Sequence, residues 1–357
     1  MAKYIDISNW KTQVHVHTGG TRDKFIAISP DDDKKYYFKT SINKGFKNYK
    51  YEFWSEVIAS ELGRSLGFNV LIYDVASFND KIGCLSKSII EEDKEEHHDG
   101  YRYIVQKYPD FSENFKKAHS YQRIIGALKN VQLENLKRDV IEMIIFDAII
   151  GNTDRHSENW ALVVKKSEYF EVFDRFCEHY ERSNWIVKWM VFCRFFVKFK
   201  MTIQSLKKII TRQKTTFSTI YDSGSSLARE LSDEKVCELL ADEQKMDHFI
   251  GKGKPDIRWN NENLNHIELV NTIALDDYEI VHQVLERVKL LYNKQMLQDL
   301  VFHIDKDVPE NFSGHKIPEE RKRFIVKYID SRISKILHSH LGYFAVLPRS
   351  RRLAKLS

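Results

Sequence analysis

Cysteine and long hydrophobic runs are both scarce in this sequence. The 357 residues include four cysteines, which are scattered and form no C-x-x-C pair. This argues against a disulfide framework and against a zinc site of the usual ligand spacing. The most apolar stretch, residues 185–199, is interrupted by three basic residues and is too short to cross about 30 Å of hydrocarbon. Because the first residues also lack the apolar region of a signal peptide, we expect reduced thiols, a cytoplasmic location and no transmembrane segment.

The sequence also lacks a large excess of charge of one sign. The net charge is +5, with 30% charged and 42% hydrophobic residues, an ordinary composition for one large or two modest globular domains. Such a mild charge gives no strong signal for nucleic acid. In residues 166–214, however, aromatic residues are interleaved with Lys and Arg. Such a mixture can stack on single-stranded bases or lie on a membrane surface, but we favour a helical insertion that packs against its own domain.

Two kinds of hydrophobic pattern divide the chain. The first part predicts short strands joined by turns, with one amphipathic helix over 51–66. These strands are expected at 14–17, 24–29, 35–40, 71–78, 82–90 and 101–107. The charged run 91–99 is interpreted as a solvated hairpin tip. Beyond residue 110 the apolar spacing becomes helical, with predicted helices at 118–128, 133–150, 201–210, 266–292 and 319–338.

The most informative stretch runs from Phe146 to Val164. An apolar helix ends at Gly151, because glycine can take the left-handed conformation that closes a helix. A polar turn follows, which contains Asp154, Arg155, His156 and Asn159. An acid followed five residues later by an amide suits phosphoryl transfer, since the acid can accept a hydroxyl proton and the amide oxygen can hold Mg²⁺. The alternative is a capped turn whose side chains bond only their own backbone.

A lysine and two glutamates provide a second candidate feature. Lys39 ends a predicted strand on the same face as Tyr37. Glu52 and Glu56 lie one turn apart on the following helix, and either could form with Lys39 the ion pair that positions nucleotide phosphates. The alternative is a set of solvated surface charges.

Two turns complete the set of candidate features. The Gly19-Gly20 turn exposes backbone N–H groups of the kind that bind phosphate, although double glycine is also common in hairpins. Asp222 follows an apolar run and begins a D-x-G turn, where a carboxylate can chelate Mg²⁺ against phosphate oxygens. The alternative is an ordinary turn that binds no metal, since such turns are common.

The order of these features is that of a two-lobed kinase. We therefore predict an α+β, protein-kinase-like fold. It consists of a small antiparallel-sheet N-lobe at 1–107, a helical C-lobe at 108–345 with an inserted helical element at 166–214, and a basic tail at 346–357. The chain departs from ordinary protein kinases, since it has no H-R-D, D-F-G or A-P-E sequence and no full G-x-G-x-x-G loop. In addition, 62 residues separate Asn159 from Asp222, where a strand pair with a hairpin needs only about 15–25.

At Gly151-Asn152-Thr153-Asp154-Arg155-His156-Ser157-Glu158-Asn159-Trp160 the chain resembles the HipA-like kinases. These are bacterial serine/threonine kinases whose fold is shared with the phosphatidylinositol 3- and 4-kinases. The run Tyr221-Asp222-Ser223-Gly224-Ser225-Ser226 is similar to the metal-binding segment of that family, and Glu56 stands before Leu62 and Gly67 as expected. The resemblance covers residues 12 to about 165 and 216 to about 340, and it is closer to the compact, stand-alone members.

The resemblance implies roles for the polar loop and for Asp222. Asp154, Arg155 and His156 would form the catalytic set, with Asp154 as the base or hydroxyl-orienting acid and His156 bracing the loop. Asn159 and Asp222 would ligate Mg²⁺.

The resemblance also implies an ATP-binding cleft between the lobes. Lys39, steadied by Glu56, would contact the ATP phosphates. The turn from Gly19 to Lys24 would cover these phosphates, through Gly19, Gly20, Thr21 and Lys24. Residues 104–107, including Gln106 and Lys107, would offer backbone bonds to adenine. In that family the phosphate-covering loop can itself be phosphorylated, and Thr18 and Thr21 are the candidates here.

The leading hypothesis is therefore an ATP- and Mg²⁺-dependent serine/threonine protein kinase that also phosphorylates itself and acts as a toxin or a secreted effector. Its partners would be a protein substrate with a Ser or Thr hydroxyl and an antitoxin or host protein. A phosphoinositide kinase is the main enzymatic alternative. Acidic residues outnumber basic ones after Asp222, which disfavours an anionic lipid. An inactive kinase-like scaffold that binds a partner through the aromatic-basic insertion is the alternative from another class.

Overall fold

A computed structural model of the chain describes residues 1–13, 24–44, 47–111, 118–166, 182 and 215–346. Four predicted features lie outside these residues. They are the strand at 14–17, the turn with Thr18, Gly19, Gly20 and Thr21, the inserted element apart from its first residue and Arg182, and the basic tail beyond residue 346.

A six-stranded sheet forms the first part of the molecule. Its order is β1-β7-β8-β4-β3-β2, and its strands are β1 (Tyr4–Asp6), β2 (Lys11–Gln13), β3 (Lys24–Ile28), β4 (Lys35–Lys39), β7 (Tyr73–Phe78) and β8 (Lys81–Lys87). A separate hairpin consists of β5 (Asn43–Lys44) and β6 (Lys47–Asn48). All neighbouring strands of the six-stranded sheet are antiparallel except β1 and β7, which pair in parallel. We predicted a purely antiparallel sheet, but the parallel pair of β1 and β7 makes this sheet mixed.

The two faces of this sheet have different environments. Phe38 and Leu85 are paired across β4 and β8, and both are buried in a small core with Ile7, Ala27 and Ala76. Because successive side chains on a strand point to opposite faces, Lys39 lies on the other face. That other face packs against helix α1 (Glu52–Ser65).

Helix α1 confirms the helix predicted over 51–66. Apolar residues at helical spacing would bury one face of an ordinary amphipathic helix, but here Glu52 to Gly63 are all buried. One side of α1 contacts the sheet, and the other contacts the helical part of the chain. There Trp54 Nε1 donates to His315 O at 2.8 Å. The helix is therefore held from both sides.

A second, three-stranded sheet lies next to the helical part. It contains β9 (Glu95–Asp99), β10 (Ala161–Lys165) and β11 (Thr215–Phe217), with β10 in the centre and antiparallel to both neighbours. The interpretation of 91–99 as a solvated hairpin tip was therefore wrong for its second half. Residues Glu95 to Asp99 have polar side chains, but their backbone pairs with the apolar strand β10, whose hydrogen bonds do not depend on side-chain polarity.

The strand predicted over 101–107 was also wrong, since helix α2 spans Gly100–Lys107. Alternating aromatic and β-branched residues favour a strand, but Asp99 caps a helix by accepting from Arg102 N at 3.2 Å. Gly100 lies against Trp160, where an added Cβ would approach the indole to 2.0 Å. The cap and this close packing determine the conformation more strongly than the local propensity.

The remainder of the described chain is mainly helical, as predicted. Its helices are α3 (Tyr121–Asn130), α4 (Lys137–Ile150), α5 (Asp233–Ala241), α6 (Glu243–Lys252), α7 (His266–Asp276), α8 (Tyr278–Leu291), α9 (Lys294–His303) and α10 (Glu319–Val346). Short 3₁₀ helices lie at Glu134–Leu136 and Glu310–His315. Helix α4 is fully buried from Met143 to Ile150 and is packed against α7, α8 and α10. A membrane-spanning helix would need a longer or more apolar segment than any found in the described part of the chain.

The predicted fold class is confirmed. A sheet with one buried helix is followed by a helical lobe, and the polar loop after α4 lies where the two meet.

Candidate active site

The polar loop begins where α4 ends at Gly151. This glycine has φ 67°, and an added Cβ would come within 2.0 Å of the Tyr328 hydroxyl on α10. The predicted left-handed cap is therefore present, and close packing from a distant helix also requires glycine at this position. Both constraints set the direction in which residues 152–159 leave the helix.

Gly151→Ala is expected to destabilise the protein by about 1–2 kcal/mol from the backbone conformation alone, and further through the clash with Tyr328. Urea unfolding measures the effect. Gly251→Ala is the matched control, because an added Cβ there meets nothing within 4 Å and Gly251 lies inside helix α6. An unchanged free energy of unfolding for Gly151→Ala would show that the loop does not depend on this cap.

Arg155 is the central residue of the loop. Its side chain is fully buried and forms a bidentate ion pair with Asp147 on α4, with Nε–Oδ2 and Nη2–Oδ1 distances of 2.8 Å each. Burial alone would lower the pKa of the Arg155 guanidinium, but the Asp147 carboxylate outweighs burial and holds that pKa above its ordinary value. Arg155 therefore anchors the loop as a buried cation rather than facing a substrate.

The same guanidinium joins the loop to the Asp222 segment. Arg155 Nη1 donates to the carbonyl of Asn159 at 2.6 Å and also to the carbonyl of Tyr221. The carbonyl of Asn159 and the carbonyl that precedes Asp222 thus accept from the same nitrogen, and these two residues are the candidate metal ligands. Although 62 residues separate these ligands in the sequence, the fold brings their backbones together.

Asp154 and Asn159 are linked within the loop. Asn159 Nδ2 donates to Asp154 O at 2.7 Å, and Asp154 N donates to Asn152 Oδ1 at 3.3 Å. The first bond uses the amide nitrogen of Asn159, so its amide oxygen is the atom available to a cation. Ser225 Oγ lies 3.4 Å from Asp154 Oδ2. The Asp154 carboxylate, which is half-buried, is therefore oriented by a hydroxyl from the other segment.

Lys39 lies beside the carboxylates of Asp222 and Glu56. Its Nζ is 3.5 Å from Asp222 Oδ1 and 3.8 Å from Glu56 Oε1. The buried Tyr73 ring is 5.7 Å from the same ammonium. Burial raises the pKa of the Tyr73 hydroxyl, and the negative charge of Glu56 raises it further, so the phenol stays neutral.

The two glutamates of α1 have different partners. Glu56 pairs with Lys39, and its Oε2 also accepts from Ser223 N at 2.8 Å, next to Asp222. Glu52 pairs instead with Arg229. Of the two alternatives that the sequence left open, Glu56 is therefore the partner of Lys39.

The remaining predicted site residues occupy more peripheral positions. Lys24 lies directly opposite Lys39 in the β3–β4 register, so the two ammonium-bearing side chains share a face. His156 Nδ1 accepts from Glu158 N at 3.3 Å and His156 O accepts from Asn159 N at 2.9 Å.

Gln106 and Lys107 belong to α2, whose helical hydrogen bonds use their backbone N–H groups. A contact with adenine through these two N–H groups therefore conflicts with the helix, and the rest of the expected backbone contact stays a prediction.

The ligand set fits magnesium that shares its coordination with phosphate. No cluster of three or more His, Cys, Asp or Glu that could hold a metal is present within the described residues. Mg²⁺ is commonly held by only one or two protein oxygens together with substrate phosphates and water. The donor set of Asp222 and Asn159 agrees with that chemistry, and Lys39 adds a positive charge for phosphate.

The sequence alone did not identify the supporting residues of this site. Asp147 gave a detectable signal, as an acid within the apolar stretch 143–150 of α4. The supporting roles of Ser225 and Arg229 gave no signal, because their contacts with Asp154 and Glu52 join segments 71 and 177 positions apart in the sequence.

Comparisons with known proteins show the fold. No family model matches the sequence, and no curated protein matches it. Among solved structures, the chain is similar to the Helicobacter pylori proinflammatory kinase CtkA, with a TM-score of 0.69 and 16% identity over 97% of this chain and 99% of that chain. It is also similar to a chain of the Shewanella oneidensis MR-1 toxin–antitoxin complex of HipA, HipB and operator DNA, with a TM-score of 0.50 and 10% identity over 94% and 67% of the two chains. The fold is that of the HipA-like kinases.

Proposed function

We propose that this chain is an ATP- and Mg²⁺-dependent serine/threonine protein kinase of the HipA-like type, and that it also phosphorylates itself. The observation that carries the proposal is the convergence of Lys39, Glu56 and Asp222 beside the loop of Asp154 and Asn159. A bound Mg·ATP would supply the phosphoryl group, with the metal offsetting its charge.

Each residue of the site has a task in this proposal. Lys39, held by Glu56, binds phosphate oxygens, and Asp222 and Asn159 provide the metal ligands. Asp154 orients the attacking hydroxyl of a protein serine or threonine and accepts its proton. Arg155 keeps the two ligand-bearing segments together and does not touch the substrate.

We propose a different adenine-binding segment from the one that the sequence indicated. The chain leaves β8 at Lys87, and Ser88 N donates to Lys35 O at 2.8 Å on β4, the strand that carries Lys39. The following residues, Ile89 and Ile90, are half-buried. This position, at the end of a strand next to the lysine strand, suits residues 88–92 for the backbone bonds to adenine that were assigned to 104–107.

The charges after Asp222 favour a protein over a phosphoinositide as substrate. The nearby basic residues are engaged in ion pairs within the protein. Arg229 pairs with Glu52, and both Lys235 and Lys245 lie 2.7 Å from Glu238. Because the surrounding exposed residues are mainly acidic, this region does not favour an anionic head group.

The resembling structures also motivate proposals about biological role. One is described as a proinflammatory kinase and the other as a toxin–antitoxin system. We propose that this chain is likewise a toxin or effector that acts in a cytoplasm, on a protein substrate, with an antitoxin or a host protein as partner.

The test uses the purified full chain with γ-labelled ATP. With Mg²⁺ we expect label on the protein itself and on acceptor proteins of a cell extract, at Ser or Thr, and we expect EDTA to abolish it. Asp222→Asn should lose the Mg²⁺-dependent signal, because one of the two protein ligands is gone. Transfer to phosphoinositide vesicles alone would favour the lipid kinase. Nucleotide binding without any transfer would favour the scaffold.

A further inference from the structure

Helix α1 has three buried polar side chains on one face. They are Glu52, Ser55 and Glu56, at spacings of three and four residues that place them side by side on a helix. All three contact the segment 222–229. Glu56 Oε2 accepts from Ser223 N at 2.8 Å, Ser55 Oγ donates to Ser226 O at 3.1 Å, and Glu52 pairs with Arg229. One helix face therefore holds both ends and the middle of the segment that carries Asp222.

The contact at Arg229 continues to the candidate catalytic acid. Arg229 Nη2 donates to Ser225 Oγ at 2.9 Å, and Ser225 Oγ lies 3.4 Å from Asp154 Oδ2. The guanidinium also lies over the Tyr49 ring, at 4.3 Å from its centroid. A continuous chain of polar contacts thus runs from Glu52 through Arg229 and Ser225 to Asp154.

The backbone of the segment requires such support. Asp222, Leu227 and Ala228 all have positive φ angles, of 55°, 54° and 53°. Non-glycine residues in this region are strained, and they persist only where the surroundings hold them. Two backbone bonds also fix the segment to the polar loop, from Thr153 N to Ser225 O at 3.3 Å and from Leu227 N to Ile150 O at 3.0 Å.

Helix α1 is itself fixed to the helical lobe. Trp54 Nε1 donates to His315 O at 2.8 Å, and the Tyr51 hydroxyl donates to Asp233 Oδ2 at 3.0 Å. The residues from Glu52 to Gly63 are buried. The chain of contacts therefore starts from a helix that is anchored on both sides.

We infer that Glu52, Arg229 and Ser225 form a positioning relay that orients the Asp154 carboxylate for phosphoryl transfer. This inference rests on the proposed kinase function. Helix α1 positions Lys39 and the Asp222 segment through the contacts of Glu56. It positions the Asp154 carboxylate through Glu52, which pairs with Arg229. The position of one helix therefore determines both the phosphate-binding and the proton-accepting parts of the site. None of the three relay residues contacts the reacting atoms.

The relay predicts a loss of kcat without a matching loss of nucleotide affinity. Ser225→Ala and Arg229→Met are each expected to lower kcat for phosphoryl transfer by about 10–100-fold, as is usual for residues that orient a catalytic ligand. The Kd for Mg·AMP-PNP, measured by titration calorimetry, should change less than about threefold, since the Lys39 and Asp222 contacts remain. The double variant should be no slower than Arg229→Met, because both changes break one chain.

Matched controls separate this role from a general loss of structure. Arg138→Met removes an exposed arginine that bonds Glu142 and Gln283, and Ser65→Ala removes a hydroxyl that bonds Leu62 O. Both should retain wild-type kcat. If the Ser225→Ala variant has the same kcat as the wild type, the relay is overturned and the kinase proposal remains intact.

A second readout does not depend on activity. In hydrogen–deuterium exchange, Arg229→Met is expected to speed exchange in residues 150–160 as well as in 225–229, and Arg138→Met is not. Residues 222 and 223 should be unaffected, because Glu56 still accepts from Ser223 N. Unchanged exchange in 150–160 would refute the relay, even if the wild type transferred no phosphate. An inactive wild type with intact nucleotide binding would refute the proposed function alone.

Discussion

Replacing Asp154 by asparagine or alanine is expected to reduce phosphoryl transfer by about 10²–10⁴-fold, the usual contribution of a positioned general base. The asparagine variant is the more informative, because it keeps the shape of the side chain and loses only the capacity to take up a proton. Its carboxamide oxygen can still accept from the Ser225 hydroxyl. Nucleotide affinity should be retained, since Lys39 and Asp222 are untouched.

Single-turnover transfer from γ-labelled ATP measures this effect directly. Glu158→Gln is the matched control, because it removes an exposed carboxylate from the same loop without touching Asp154. An Asp154→Asn variant with more than a tenth of the wild-type rate would contradict the assigned role. The loop would then be a capped turn, as the alternative interpretation of its sequence holds.

Replacing Arg155 by methionine is expected to lower the free energy of unfolding by about 3–5 kcal/mol, the usual cost of breaking a buried ion pair from one side. Asp147 is 2% exposed and would keep an unpaired charge. The carbonyls of Asn159 and Tyr221 would also lose their shared donor. This loss is a large part of the total stability of a typical domain.

Urea unfolding followed by tryptophan fluorescence tests this expectation. Arg323→Met is the comparison, since it breaks an exposed ion pair with Glu319 and should change stability by no more than about 1 kcal/mol. Adding Asp147→Leu to Arg155→Met should recover part of the stability by removing the unpaired carboxylate. If Arg155→Met and Arg323→Met destabilise the protein equally, the buried pair does not hold the loop.

This second prediction is independent of the proposed chemistry. Arg155 anchors the polar loop to α4 and to the Tyr221 carbonyl whether or not phosphate is transferred. A stable but inactive Asp154→Asn variant together with an unstable Arg155→Met variant would therefore separate the reacting residue from its support.

Local patterns were sufficient for the parts of the site that lie within one short stretch. The glycine that ends α4 and the spacing of Asp154 and Asn159 are both properties of residues 151–159. Lys39 on a strand and Glu56 on the next helix were also predictable. Strand alternation and helical periodicity each determine which way a side chain points.

The same local reasoning failed at residues 95–107. The charged residues of β9 do not have the composition of a strand, and α2 has the alternation of one. Their conformations depend on strand β10, on the Asp99 cap and on the close contact of Gly100 with Trp160. These partners lie up to about 70 positions away in the sequence, so no window of neighbouring residues contains the information.

The sequence by itself determined the class of fold, the two ends of α1 and the C-terminal end of α4. It also determined which short runs could carry phosphate chemistry, since capping and periodicity act over a few residues. The tertiary structure decided which groups meet. It selected Glu56 rather than Glu52 for Lys39, placed Asp222 beside that lysine, and linked Glu52 to Asp154 through Arg229 and Ser225. The physical reason is that a buried charge must find its partner in three dimensions, and that partner depends on how whole helices and strands pack.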